Sequence, residues 1–81
     1  MSKYKPRKGF FDISNRPKGL SKTEHRKMQE TQTLLQRTED RKEYYLKHDR
    51  NSWEVAKEMS AQLQQLIFKY YPEILEEELE Q

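Results

Sequence analysis

His25 and His48 are the only imidazoles in a chain that has no cysteine. Metal or nucleophilic chemistry would need partners for them. A zinc site gathers about four Cys, His or carboxylate ligands at one point, and a catalytic base needs a nucleophile and an orienting group within reach. Along one helix the two histidines would stand roughly 35 Å apart at ~1.5 Å per residue, so they cannot share an ion. Neither has a second ligand at a convincing spacing, and both read as solvated surface histidines. Glu39, Asp40 and Glu43 resemble carboxylate ligands at first. They alternate with Arg37, Arg41, Lys42 and Lys47, a pattern that reads instead as a salt-bridged helix face. No Gly-rich phosphate loop occurs. The residues imply no catalytic group, no metal, no cofactor and no small-molecule substrate, so the expectation is that the chain is not an enzyme.

The chemistry that is present is electrostatic. Lys3, Lys5, Arg7 and Lys8 are interleaved with Tyr4, Phe10, Phe11 and Ile13, and Arg16, Lys18, Lys22, Arg26 and Lys27 follow. Cations of this kind neutralise phosphates and release counterions, and rings stack on unpaired bases. Those nine Lys/Arg are the candidate nucleic-acid contacts, and nucleic acid or a ribonucleoprotein is the first expected partner. A solvated basic tail is the plainer alternative. A second candidate set is apolar: Phe10, Phe11, Trp53, Met59, Leu63, Leu66, Ile67, Tyr70 and Tyr71 would form a protein interface, for another protein or a second copy. Phe10, Phe11 and Ile13 have a further reading, which the need for cover favours: they lie back on the open face of the second helix.

The elements that must position these groups are helical. Ser21-Lys22-Thr23-Glu24 is a capping box, in which Ser21 takes the backbone N–H of Glu24 and Glu24 reaches back to the N–H of Ser21. From Lys22 to about His48 there is no Gly or Pro, and residues with good helix propensity dominate. A second helix is expected over about 53–71, capped by Asn51 or Ser52. Pro72 is placed to open a short acidic third helix as its first residue. Residues 1–20 hold both glycines and two of the three prolines, and form a basic arm; residues 21–81 form the helical unit.

The join around residues 48–52 is polar and lacks Gly or Pro, so a single helix could run straight through. Such a rod would be about 75 Å long, dimerised as a coiled coil. Seam spacing favours an antiparallel helical hairpin. Met28, Thr31, Leu35, Thr38, Lys42 and Tyr45 on the first helix face Ala56, Met59, Leu63, Leu66 and Tyr70 on the second. Turned about residues 50/51, Tyr45 meets Ala56 and Leu35 meets Leu66. The second helix carries apolar side chains over an arc of roughly 160°, more than one polar helix can cover. Something else must cover the remainder.

Composition bounds the rest. The chain has 81 residues with 32% hydrophobic and 37% charged, so any core is thin. The net charge of +2 conceals a gradient. Residues 1–27 carry nine Lys/Arg and two Asp/Glu, +7; residues 28–52 carry five of each; residues 53–81 carry two and seven, −5. No apolar run approaches the ~20 residues of a membrane span, and no leader-like segment opens the chain. The expected setting is intracellular and cytoplasmic, away from membranes. The expected function is that of a small non-enzymatic binding protein, an accessory component on nucleic acid or in a ribonucleoprotein. The alternative is a protein–protein adaptor or inhibitor, such as a mobile-element regulator, that docks through the second helix.

Overall fold

A computed structural model describes residues 9–80. Among them the fold is all-α, with four helices and no strand. They are α1 (Lys22–Asp40), α2 (Lys42–His48), α3 (Arg50–Tyr70) and α4 (Pro72–Leu79). Lys3, Lys5, Arg7 and Lys8 lie outside the described residues.

Helix α1 begins where the capping box places it. The Glu24 N–H donates to Ser21 Oγ at 3.1 Å. The reciprocal partner differs from expectation: Glu24 Oε1 accepts from the Ser21 hydroxyl at 3.4 Å. Gly19 has φ +86, a backbone state that a side chain disfavours, and Leu20 N–H reaches back to Pro17 O. That turn reverses the chain into α1.

The continuous helix to His48 does not occur. Helix α1 stops at Asp40, Arg41 adopts φ −110 and ψ 30, and α2 resumes for seven residues. Local propensity does not demand this break. The stripe Met28–Thr31–Leu35–Thr38 next runs into Lys42, whose charge cannot follow the apolar side chains inward. Lys42 is exposed, and its Nζ lies 5.7 Å from the centroid of the Trp53 ring instead. A second interruption falls at Asp49, and α3 starts at Arg50, three residues earlier than expected. Its cap is Asp49, not Asn51 or Ser52: the Asp49 carboxylate accepts the Ser52 N–H at 3.2 Å and the Ser52 hydroxyl at 2.7 Å. These two breaks rule out the single long helix. So does the shape, 40 × 30 × 26 Å, which cannot hold a rod of about 75 Å. Pro72 opens α4 as its first residue.

Helices α1 and α3 pack together, α2 packs on α3, and α4 on α3. The pairing differs from the expected seam. Leu35 lines a small cavity with Trp53, Ala56 and Ser60, and not with Leu66. Thr31 lines a groove with Met59, Gln62 and Leu63, and Glu24 and Lys27 line the same groove near Leu66 and Tyr70. Helix α2 and its two bounding turns occupy residues 41–49, so the centre of pairing falls within α2 rather than at 50/51.

The core joins three pieces of chain. Phe10, Phe11, Ile13 and Leu20 come from the segment before α1, Met28 and Leu35 from α1, and Leu63, Ile67 and Tyr71 from α3 and its end. Ile67 is the most enclosed, at 1% exposed. The chain's own residues 10–20 thus cover part of the wide apolar face of α3, and leave Val55, Met59 and Leu66 exposed.

Candidate nucleic-acid interface

Three residues on one face of α1 hold the preceding segment in place. Gln32 clamps Phe11 at both ends: Phe11 N–H donates to Gln32 Oε1 at 3.0 Å, and Gln32 Nε2 donates to Phe11 O at 2.7 Å. A primary amide offers the same donor and acceptor pair as a peptide group, so it stands in for a missing strand neighbour. His25 is buried and its Nε2 lies 2.7 Å from Ile13 O; the carbonyl can only accept, so Nε2 carries the proton. Gln29 Nε2 donates to the same carbonyl at 3.3 Å. From the far side the Tyr71 hydroxyl donates to Asn15 O and approaches Ile13 O at 3.4 Å. Burial raises the Tyr71 phenol above its usual range, and the negative charges of Glu73 and Asp12 add to the shift. Phe11 tilts against Phe68 with centroids 5.5 Å apart.

His25 therefore is not a solvated surface histidine; it is a structural latch. Its spacing with Met28, Gln32 and Leu35 is that of one helix face, which was the available signal. His48 is exposed as expected and packs on Tyr44 at 5.0 Å.

The latch sets where the charges go. Phe10 shares its cavity with Trp53 and Lys57, whereas Leu20 shares the groove with Tyr70. Residues 10–20 therefore run along α1 against its direction, from its C-terminal half to its start. Arg16, Lys18, Lys22, Arg26 and Lys27 are all exposed, and Arg16 Nη1 donates to Leu20 O at 3.0 Å. They stand at the start of α1.

The apolar set divides as well. Phe10, Phe11, Trp53, Leu63, Ile67 and Tyr71 are buried within the chain, and Tyr70 is half-buried. Met59 and Leu66 remain 41% and 44% exposed. They border an open groove of about 360 Å³ between α1 and α3, shared with Leu20, Met28, Leu63 and Tyr70.

A cluster that spacing alone did not bring forward sits around α2. Arg41 lies over the Tyr44 ring at 4.6 Å and is 6.0 Å from the Tyr45 ring. Tyr44 and Tyr45 meet edge-on at 5.5 Å. Lys42 and Lys57 each place Nζ 5.7 Å from the Trp53 ring centroid. Asp49 is occupied as the α3 cap, and the hydroxyl and backbone N–H of Ser52 hold its carboxyl below the usual carboxylate range. Arg50 and Glu54 form a pair at 3.7 Å. Among the described residues no group of three potential metal ligands converges, and no helix is long and apolar enough to cross a membrane.

Comparison with protein-family models, with curated proteins and with solved structures gave no match. The grounds for a functional reading are therefore the fold and its charges.

Proposed function

We propose that this chain is a small non-enzymatic binding protein whose cations contact the phosphates of nucleic acid, alone or within a ribonucleoprotein. In this reading α1 and α3 act as an antiparallel hairpin that presents a basic N-terminal segment. One observation supports it over the adaptor reading. Most of the α3 face that an adaptor would offer (Trp53, Leu63, Ile67 and Tyr71) is already buried within the chain, leaving Met59 exposed, whereas the described cations of the N-terminal set are all exposed. Surface that is already covered is unavailable to a partner, and exposed cations are free to meet an anion.

The test is fluorescence anisotropy of a labelled mixed-sequence oligonucleotide at several salt concentrations. Four or more phosphate contacts would make log affinity fall against log salt with a slope of about −3 or steeper. A flat salt response, or no binding in low salt, would overturn the reading.

A second reading concerns protein contact through the groove beside Met59 and Leu66, with a second copy of this chain as occupant. Turned antiparallel about the midpoint between Gln62 and Leu63, α3 sets Met59 opposite Leu66 of the copy. Glu58 then falls within two residues of level with Lys69 of the copy, an offset of about 3 Å along the axis. Opposite charges thus flank the apolar contact twice by symmetry. Light scattering should give a dimer that Met59→Glu dissociates; a monomer at all concentrations would remove this reading.

A further inference from the structure

We infer that the acidic helix α4 competes with nucleic acid for the cations at the start of α1, so that the chain holds its own phosphate contact in check. This rests on the nucleic-acid reading above and adds a regulation to it.

The fold brings the two ends of the charge gradient together. Residues 16–27 carry five Lys/Arg and one Glu, +4. Residues 72–80 carry five Glu and no Lys/Arg, −5. Three observations place α4 beside the basic set. The hydroxyl of Tyr71, the residue before α4, donates to the carbonyl of Asn15, the residue before Arg16. Tyr70 lines the groove that Leu20, Glu24 and Lys27 also line. Ile74 of α4 packs against the core cluster to which Leu20 belongs. Arg16 Nη1 donates to Leu20 O at 3.0 Å, which holds that guanidinium at the start of α1. The Glu73 charge is felt at the Tyr71 phenol, and so at the Tyr71–Asn15 contact.

The five Lys/Arg and the five Glu are all exposed. Opposite charges on a solvated surface act on each other over about a Debye length, ~10 Å at 0.1 M salt, and need no fixed pairing. A phosphate backbone that approaches this end meets +4 and −5 together, −1 in sum. Its attraction to the cations is opposed by repulsion from α4. The cations also release fewer counterions, because α4 stands in for part of that atmosphere. None of this is needed for the fold, in which α4 takes part through Ile74 and not through its carboxylates. Whatever neutralises those carboxylates therefore strengthens the phosphate contact.

The experiment measures anisotropy of a labelled mixed-sequence oligonucleotide against full-length proteins whose melting curves match the wild type. The test variant is Glu73→Gln/Glu76→Gln/Glu77→Gln. The control, Glu39→Gln/Glu43→Gln/Glu58→Gln, removes as many acids from elsewhere. At about 0.1 M salt the test variant should bind roughly three- to hundredfold tighter than the wild type, the range of three exposed charge interactions. Its gain should shrink as salt rises, which gives it the steeper salt slope, and the control should gain several-fold less. Equal gains in the two variants would overturn the inference, because net charge alone would account for them. A test variant that binds no tighter than the wild type would also overturn it; either result leaves the functional reading in place. A wild type and a test variant that both fail to bind would overturn both.

Discussion

Gln32 is the residue on which the position of the N-terminal segment turns. It satisfies both backbone groups of Phe11 in a buried place where water cannot substitute. Gln32→Met keeps the side-chain volume and removes both bonds. Two buried peptide groups without partners cost roughly 2–5 kcal/mol together, so the urea midpoint should fall by that equivalent. Gln29→Met is the control. Its one bond is 3.3 Å long, to a carbonyl that His25 already serves, and its loss should cost under about 1 kcal/mol. Tyr71 makes the same point through pH. Its phenol is raised in the folded state, so the unfolded chain ionises first, near pH 10. The stability that a neutral Tyr71 gives is fully present below about pH 10 and is lost as pH rises through the folded value. Tyr71→Phe should flatten that alkaline decline in a pH series of melting temperatures. None of this latch was legible residue by residue. Gln and His are mostly exposed in proteins, and only the Phe11 and Ile13 backbone, brought in from 12 to 21 positions away, makes them core residues.

At the scale of elements, two signals with a local cause held, while the α3 cap moved to Asp49 and the signals with a distant cause did not hold. The capping box at Ser21 and the proline opening α4 act within one turn of chain, and both stand where the sequence places them. The break at Arg41 has no Gly or Pro behind it. It accompanies the packing of α2 on α3, where Lys42 lies over Trp53, a partner eleven residues away in sequence. The α3 seam shifted for the same reason. Ile67 and Tyr71 face the core because residues 10–13 lie over them, which turns Met59 and Leu66 outward. Asp49 is the element-level feature most open to test. Bonds from Ser52 depress its pKa, so its capping contribution is present above the unfolded value near pH 4 and disappears as pH falls through the lower folded value. Asp49→Asn can cap without a charge. Its melting temperature should therefore fall less than that of the wild type between pH 5 and pH 2; equal slopes would exclude Asp49 from the acid transition.

At the scale of the whole molecule, the boundary between arm and domain is what the fold redraws. Composition puts it at residue 20, because both glycines and two of the three prolines fall within residues 1–20. Burial carries the domain back at least to Phe10, because Phe10, Phe11, Ile13 and Leu20 are four of the nine residues in the central cluster. Two truncations separate these boundaries. Removal of residues 1–20 takes away four buried side chains worth about 1.5–3 kcal/mol each, which is comparable to the whole stability of a domain this size. It also uncovers Leu63, Ile67 and Tyr71 together and leaves His25 and Gln32 without partners. That chain should lose cooperative unfolding and bind a hydrophobic dye. Removal of residues 1–8 takes four cations and leaves Phe10, Phe11, Ile13 and Leu20 in the chain, so cooperative unfolding should survive. Oligonucleotide binding by the shorter truncation should weaken and its salt slope become shallower by up to about 3–4, the share of four phosphate contacts. A longer truncation that still unfolded cooperatively would place residues 10–20 outside the core. A shorter truncation with an unchanged salt slope would take Lys3, Lys5, Arg7 and Lys8 out of the phosphate contact and leave Arg16, Lys18, Lys22, Arg26 and Lys27 to carry it.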